Sequence, residues 1–188
     1  MRYASIRKLD ISNGEGVGVA LFVQGCPFNP HCKNCFNPDT WDFNGGKEWT
    51  QDTEDKLIEL SNKPYIKRLS ILGGEPLADE NLDGVLHLVN RFRLSFPNKS
   101  IWIYSGYTWE ECQPFSEEGL LKGSDFAPNL QKILQKRQEI ISKCDVMVDS
   151  RYVDSQRNVQ AKWRGSNNQH VIDIKQSLQQ NKLILYCD

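Results

Sequence analysis

The chain has 188 residues, with 23 Lys plus Arg against 24 Asp plus Glu and a formal net charge of -1 at pH 7. That length suits one domain, and 39% hydrophobic with 10% aromatic residues is too much apolar side chain for a disordered, charge-dominated segment. The even charge balance argues against a sequence-independent nucleic-acid binder, which needs a surplus of Lys and Arg on its interacting face.

The opening MRYASIRKLD carries Arg2, Arg7, Lys8 and Asp10 and lacks the apolar core and small-residue cleavage site of a signal peptide. The longest strongly apolar run, Val17 to Val23, falls far short of a membrane span. A cytoplasmic protein with neither a membrane nor a nucleic-acid partner is expected. Val17–Val23 reads as a buried strand, followed by a loop rich in cysteine and proline and then a short helix over Asp55–Ser61. Leu69–Leu72 is a second strand. An amphipathic helix follows over Glu80–Phe96, with Leu82, Val85, Leu86 and Val89 on one face, Asp79 as its N-cap and Pro97 as its stop. Ile101–Tyr104 is a third strand, and Cys112–Asn129, without a clean period, reads as a surface insertion. A helix over Leu130–Lys143 leads to strands at Val146–Asp149, Val171–Ile174 and Leu183–Tyr186. Strand and helix alternate, so the expected fold is α/β: a mostly parallel sheet with crossover helices, either open or an incomplete barrel, in a single domain.

Six cysteines are unevenly placed, with Cys26, Cys32 and Cys35 crowded together and Cys112, Cys144 and Cys187 isolated. In GCPFNPHCKNCFNPDTW, five residues separate Cys26 from Cys32 and two separate Cys32 from Cys35. Pro27, Pro30 and Pro38 exclude a regular element there, so the thiols sit on a loop at the carboxyl end of a strand, where α/β proteins place ligands. Cys-x-x-Cys lets two thiolates converge on one metal centre, and the third is near enough to join them. A closed zinc site needs a fourth ligand, for which His31 and the isolated cysteines are candidates; a redox pair leaves the third thiol without a role. Three thiolates holding an iron-sulfur cluster with one iron open to a small polar ligand is the sharper reading.

The second constellation is Gly73-Gly74-Glu75-Pro76, directly after a strand. Its glycines permit positive φ and close backbone approach, and Glu75 can accept from an ammonium group. In a parallel sheet both motifs face the same rim. At the other strand ends, Ser105 either hydrogen-bonds a ribose or carboxylate or merely caps local backbone, and Asp149 is either an orienting group or an ordinary turn carboxylate.

GCPFNPHCKNC followed by GGEP resembles the radical S-adenosylmethionine enzymes. Within that superfamily FVQGC, CFNPDTW and the late WRGSNNQ resemble the activases of anaerobic ribonucleoside-triphosphate reductases. The resemblance implies a 4Fe-4S cluster on Cys26, Cys32 and Cys35, and S-adenosylmethionine bound with its amino group at Gly73, Gly74 and Glu75 and its adenine beside Asn34 and Phe36. It implies a 5′-deoxyadenosyl radical that abstracts hydrogen from a glycine of the reductase, with a separate electron donor such as flavodoxin. The chain departs from the family pattern in its five-residue first spacing, where three is usual, in Asn34 where an aromatic is often found, and in Glu15 where proline is usual. WRGSNNQ is expected to support the site or dock the partner. A radical enzyme acting on a small molecule, and a zinc-bound interaction module, remain as alternatives.

Overall fold

The computed structural model describes residues 1–112 and 127–187. The strands are β1 (Arg2–Asp10), β2 (Gly18–Val23), β3 (Lys47–Glu48), β4 (Arg68–Gly73), β5 (Ser100–Tyr104), β6 (Val146–Val148), β7 (Val171–Asp173) and β8 (Leu185–Cys187). The helices are α1 (Gln51–Ser61), α2 (Leu82–Ser95), α3 (Ala127–Lys143) and α4 (Ile174–Gln180). All eight strands join one open sheet in the order β3-β1-β2-β4-β5-β6-β7-β8.

The expected mostly parallel sheet is in fact mixed. Its centre, β2-β4-β5-β6, is parallel, while β1 and β3 on one flank and β7 and β8 on the other pair antiparallel. The centre follows the crossover logic, because α1, α2 and α3 intervene between its strands. Beyond β6 only a 3-10 turn at Asp154–Gln156 and no α-helix precedes β7, and the chain returns in the opposite direction.

Both faces of the central strands are buried. On the helix face, Val19, Leu21, Leu69, Ile71, Ile101, Ile103 and Met147 pack with Val85, Leu88, Val89 and Phe92 of α2 and Ile140 and Ile141 of α3. Each fully buried aliphatic or aromatic side chain there contributes about 1.5–3 kcal/mol relative to exposure. Period-two alternation sends Ala20, Phe22, Leu72, Trp102, Val146 and Val148 to the other, inner face. That face also holds a fully buried Arg68, whose Nη2 donates to an Asp10 carboxylate oxygen at 2.7 Å and to the Asp10 carbonyl at 3.0 Å. Gly18 is required beside it, since a Cβ would stand 2.5 Å from the Arg68 side chain. The sheet curls: Tyr186 on β8 reaches back to Glu15 in the β1–β2 turn, and its ring packs 5.3 Å from that of Trp102.

Several boundaries differ from expectation. α2 begins at Leu82 rather than Glu80, with Asn81 at its N-cap. Asp79 accepts instead from Arg137 at 3.0 Å, an ion pair with α3 that replaces the cap. Ile174 starts α4 rather than ending a strand, because Asp173 caps that helix by accepting from the Gln176 amide. The ends of the expected Cys112–Asn129 insertion belong to a 3-10 turn and to the first turn of α3, and residues 113–126 lie outside the described ones.

Candidate functional site

The parallel strands end on one rim, and a cavity of about 600 Å³ opens there. Its floor is the last inward layer of all four: Phe22 pairs with Leu72 and Tyr104 with Val148 in the strand register, and all four residues line the cavity. Above them stand the loops that carry the sequence motifs.

The cysteine loop leaves β2 at Gln24 and returns to it. Gln24 is buried and donates through Nε2 to the carbonyls of Asp39 and Asp42, each at 2.9 Å, closing the loop at its neck. Gly25 has φ +97, and a Cβ there would lie 2.0 Å from the Phe43 ring, so only glycine fits. Its amide donates to the Thr40 carbonyl and that of Cys26 to Trp41. Cys26, Cys32 and Cys35 are free, half-buried thiols that all line the cavity. Burial, with the negative charges of Glu75, Cys32 and Cys35 adding to it, pushes the Cys26 thiol up to about 11. A positively charged metal centre relieves both costs, and the Asn37 amide already points at Cys35 Sγ at 3.4 Å. Among the described residues no three His, Cys, Asp or Glu side chains are gathered closely enough to hold a single metal ion. A 4Fe-4S cluster distributes its thiolates over separate irons, so its donors need not converge on one point, and three free thiols around one cavity fit it.

The enlarged loop between Cys26 and Cys32 is tied down at Pro30. Arg151 donates to the Pro30 carbonyl and lies over the Phe28 ring at 5.0 Å. Phe28 packs on Tyr107 with centroids 5.0 Å apart, and Arg137 covers Tyr107 at 3.9 Å.

The glycine turn is packed directly on the cysteine loop. Gly73 (φ +115) and Gly74 are needed for approach to the cysteine loop: a Cβ on Gly73 would be 2.6 Å from the Val23 carbonyl, and one on Gly74 would be 2.2 Å from that of Gly25. The Gly74 amide donates to Val23 and the Glu75 amide to Gly25 at 2.7 Å, stitching the two loops together. Asn81 adds to the stitch by donating to the carbonyls of both Gln24 and Glu75 at 3.0 Å. The Glu75 carboxylate is buried and accepts from the Leu77 amide, the Ser105 hydroxyl at 2.8 Å and the Gly106 amide at 2.7 Å. Burial pushes its pKa up to about 7, against the pull of those donors. Gly73, Gly74, Glu75 and Ser105 all line the cavity, yet the Ser105 hydroxyl donates to Glu75 rather than towards a ligand.

Phe36 also lines the cavity, packing against Tyr152 at 5.2 Å. Asn34 does not. It adopts φ 56, and its side chain helps hold the Asp154 carboxyl below the ordinary carboxylate value. Asp149 is an anchor: its buried carboxylate accepts from the Trp109 amide at 3.0 Å and from both the amide and ring of His170. The WRGSNNQ segment forms a wall, with Trp163, Arg164, Gly165 and Gln169 in the lining. Gln169 accepts from the Gly165 and Ser166 amides and donates to Ser150, and Asn168 donates to Arg151, so the wall is bonded to the loop after β6. Tyr104 and Arg7 are lining residues that the sequence reading missed. For Tyr104 the signal was present, since its alternation with Trp102 places both on one face of β5.

Three free thiols, a glycine turn locked to them and a cavity between define the class of a cluster-binding α/β protein. In keeping with this, a family model described as a 4Fe-4S single cluster domain matches residues 12–172. The chain is 34% identical to the anaerobic ribonucleoside-triphosphate reductase-activating protein of Vibrio cholerae over 90% of its own length and 96% of the relative's. It is 32% identical to the protein so named in Escherichia coli K12, covering 93% and 100% of the two chains, and 32% identical to that of Enterobacteria phage T4, covering 91% and 93%. The chain belongs to the family of anaerobic ribonucleoside-triphosphate reductase-activating proteins, and it is an enzyme.

Proposed function

We propose that the chain installs a glycyl radical on an anaerobic ribonucleoside-triphosphate reductase, holding a 4Fe-4S cluster on Cys26, Cys32 and Cys35 and S-adenosylmethionine beside it. The observation that carries this is the meeting of the three free thiols and the Gly73-Gly74-Glu75 turn around one cavity. A cluster held by Cys26, Cys32 and Cys35 would supply the electron for reductive cleavage of S-adenosylmethionine, giving methionine and a 5′-deoxyadenosyl radical that would take a hydrogen atom from a glycine of the reductase.

The chain's own residues do the positioning. The glycine turn and the carboxylate behind it receive the methionine ammonium, and Ser105 orients that carboxylate through its 2.8 Å hydrogen bond. The Phe36 ring offers an apolar face for the adenine, while Asn34 supports the loop through Asp154. Holding the sulfonium against the cluster replaces a diffusional encounter with a fixed geometry. The electron comes from a separate protein such as a flavodoxin. The curl that brings β8 to the β1–β2 turn supports reading the sheet as an incomplete barrel of the radical S-adenosylmethionine type, and its inclusion of every strand supports a single domain.

The test is an anaerobic preparation assayed for iron, sulfide and zinc, with EPR of the dithionite-reduced sample before and after S-adenosylmethionine. A reduced-cluster signal that shifts with the ligand, and is lost in Cys32→Ala, supports the reading; zinc without iron overturns it.

A further inference from the structure

The floor layer holds one polar group. Phe22, Leu72 and Val148 present hydrocarbon to the cavity, and between Leu72 and Val148 stands Tyr104. Its hydroxyl is buried and has no hydrogen-bond partner. Buried polar groups are nearly always satisfied, and an orphan at a cavity floor marks a place where something else binds. The wall repeats the pattern, for Arg164 also lines the cavity and its Nε is buried without a partner. Arg164 is held in place by its neighbours: Trp163 adopts φ 59 and packs on Trp102 at 4.9 Å, and the Gly165 amide is fixed by Gln169 at 2.8 Å.

An arginine N–H only donates, and a tyrosine hydroxyl can donate, so the missing ligand presents acceptors. It also lies over an apolar floor. A main-chain segment with a glycine at its centre meets both conditions, since its carbonyl oxygens require donors once water is excluded and its side-chain-free carbon can approach closely. We propose that Tyr104 and Arg164 form the subsite that takes main-chain carbonyl groups of the reductase's glycine segment. This rests on the proposed activase reading and names the residues by which the site grips its protein substrate. The rim motifs serve the small cofactor; the floor and wall serve the peptide.

The experiment uses the reconstituted, cluster-loaded enzyme in its oxidised state, where no turnover occurs. A synthetic peptide spanning the reductase's glycine site is titrated by calorimetry in saturating S-adenosylmethionine, and S-adenosylmethionine is titrated separately by the EPR shift of the reduced enzyme. Tyr104→Phe is expected to weaken the peptide about three- to tenfold and Arg164→Gln at least about tenfold, the spans of one neutral and one charge-assisted hydrogen bond. Both should leave the S-adenosylmethionine midpoint within about twofold, since the proposal gives them no contact with it. Unchanged peptide affinity overturns the proposal, as does an S-adenosylmethionine affinity that falls by the same factor, which would assign these donors to the cofactor. A wild-type enzyme that binds S-adenosylmethionine but not the peptide also overturns it and leaves the cluster chemistry standing. A wild type without iron, or without an S-adenosylmethionine response, sinks the activase reading itself. Circular dichroism melts separate either result from misfolding.

Discussion

Arg151 grips the carbonyl of Pro30 across 121 residues of sequence, with its guanidinium over the Phe28 ring. The contact joins the cysteine loop to the loop after β6. An exposed cation over an aromatic face contributes about 0.5–1 kcal/mol, so Arg151→Ala should barely move the melting temperature. The thiol loop, however, loses its outer tether. The expected result is cluster loss to a chelator that is several-fold faster than in wild type, followed by the decay of the iron-sulfur absorbance; an unchanged rate would remove Arg151 from the loop's support.

Glu75 should give the protein a falling stability through the neutral range. Burial raises its pKa from 4.5 to about 7, so the folded state holds a proton that the unfolded state has released between those values. Its contribution is complete below pH 4.5 and is lost as the pH rises through about 7. Urea midpoints of the cluster-free protein between pH 5 and 8 should decline accordingly. Glu75→Gln should flatten that slope while lowering stability by about 1–3 kcal/mol, because an amide nitrogen would face one of the buried donors that the carboxylate satisfies.

The Asp10–Arg68 pair works in the opposite direction on the pH scale. Burial raises the Asp10 pKa, but the hydrogen bonds from Arg68 and Asn13 outweigh it and hold the carboxyl below its ordinary 3.8. The stabilisation is present above pH 3.8 and is lost as the pH falls through the lower folded value. Asp10→Ala should cost about 3–5 kcal/mol at pH 7, since it strands a fully buried guanidinium. Chemical denaturation at pH 7 checks the magnitude, and a loss under about 1 kcal/mol would show that water reaches Arg68 in the variant.

Gly74→Ala tests the seam between the two motifs. A Cβ there would stand 2.2 Å from the Gly25 carbonyl, a main-chain atom that cannot swing aside. Overpacking of this kind costs about 1–3 kcal/mol. The variant should fold with a lowered melting temperature, bind less iron on reconstitution, and show no EPR response to S-adenosylmethionine at concentrations that saturate wild type. A normal response would mean that the two loops separate without functional loss.

Much of this architecture was legible from residue patterns. β2, β4 and β5 are legible to within a residue at each end, because strands buried on both faces read as near-continuous apolar runs, broken in β4 only by Ser70 between Leu69 and Ile71. β1 was not recognised: its residues are half-buried or exposed except Asp10, and Arg2, Arg7 and Lys8 obscure the alternation. Asp79 looked like a helix cap because nothing in the sequence showed that Arg137, 58 residues later, would claim it. The motifs meet around one cavity, and two of the expected site residues face partners distant in sequence. Asn34 turned to Asp154, and the Ser105 hydroxyl turned to Glu75. That Tyr104 and Arg164 carry unpartnered polar atoms stayed hidden for the converse reason, since the lack of a partner appears only after the fold has assigned all the others.

The seam between the thiol loop and the glycine turn is made by two main-chain hydrogen bonds, Gly74 to Val23 and Glu75 to Gly25, with Asn81 bridging the carbonyls of Gln24 and Glu75. Main-chain bonds carry no sequence signature, yet these demand glycine where the two loops touch. What the seam sets is a separation between two anchorage points, written in the backbone and guarded by Gly73 and Gly74, where any side chain would wedge the two apart.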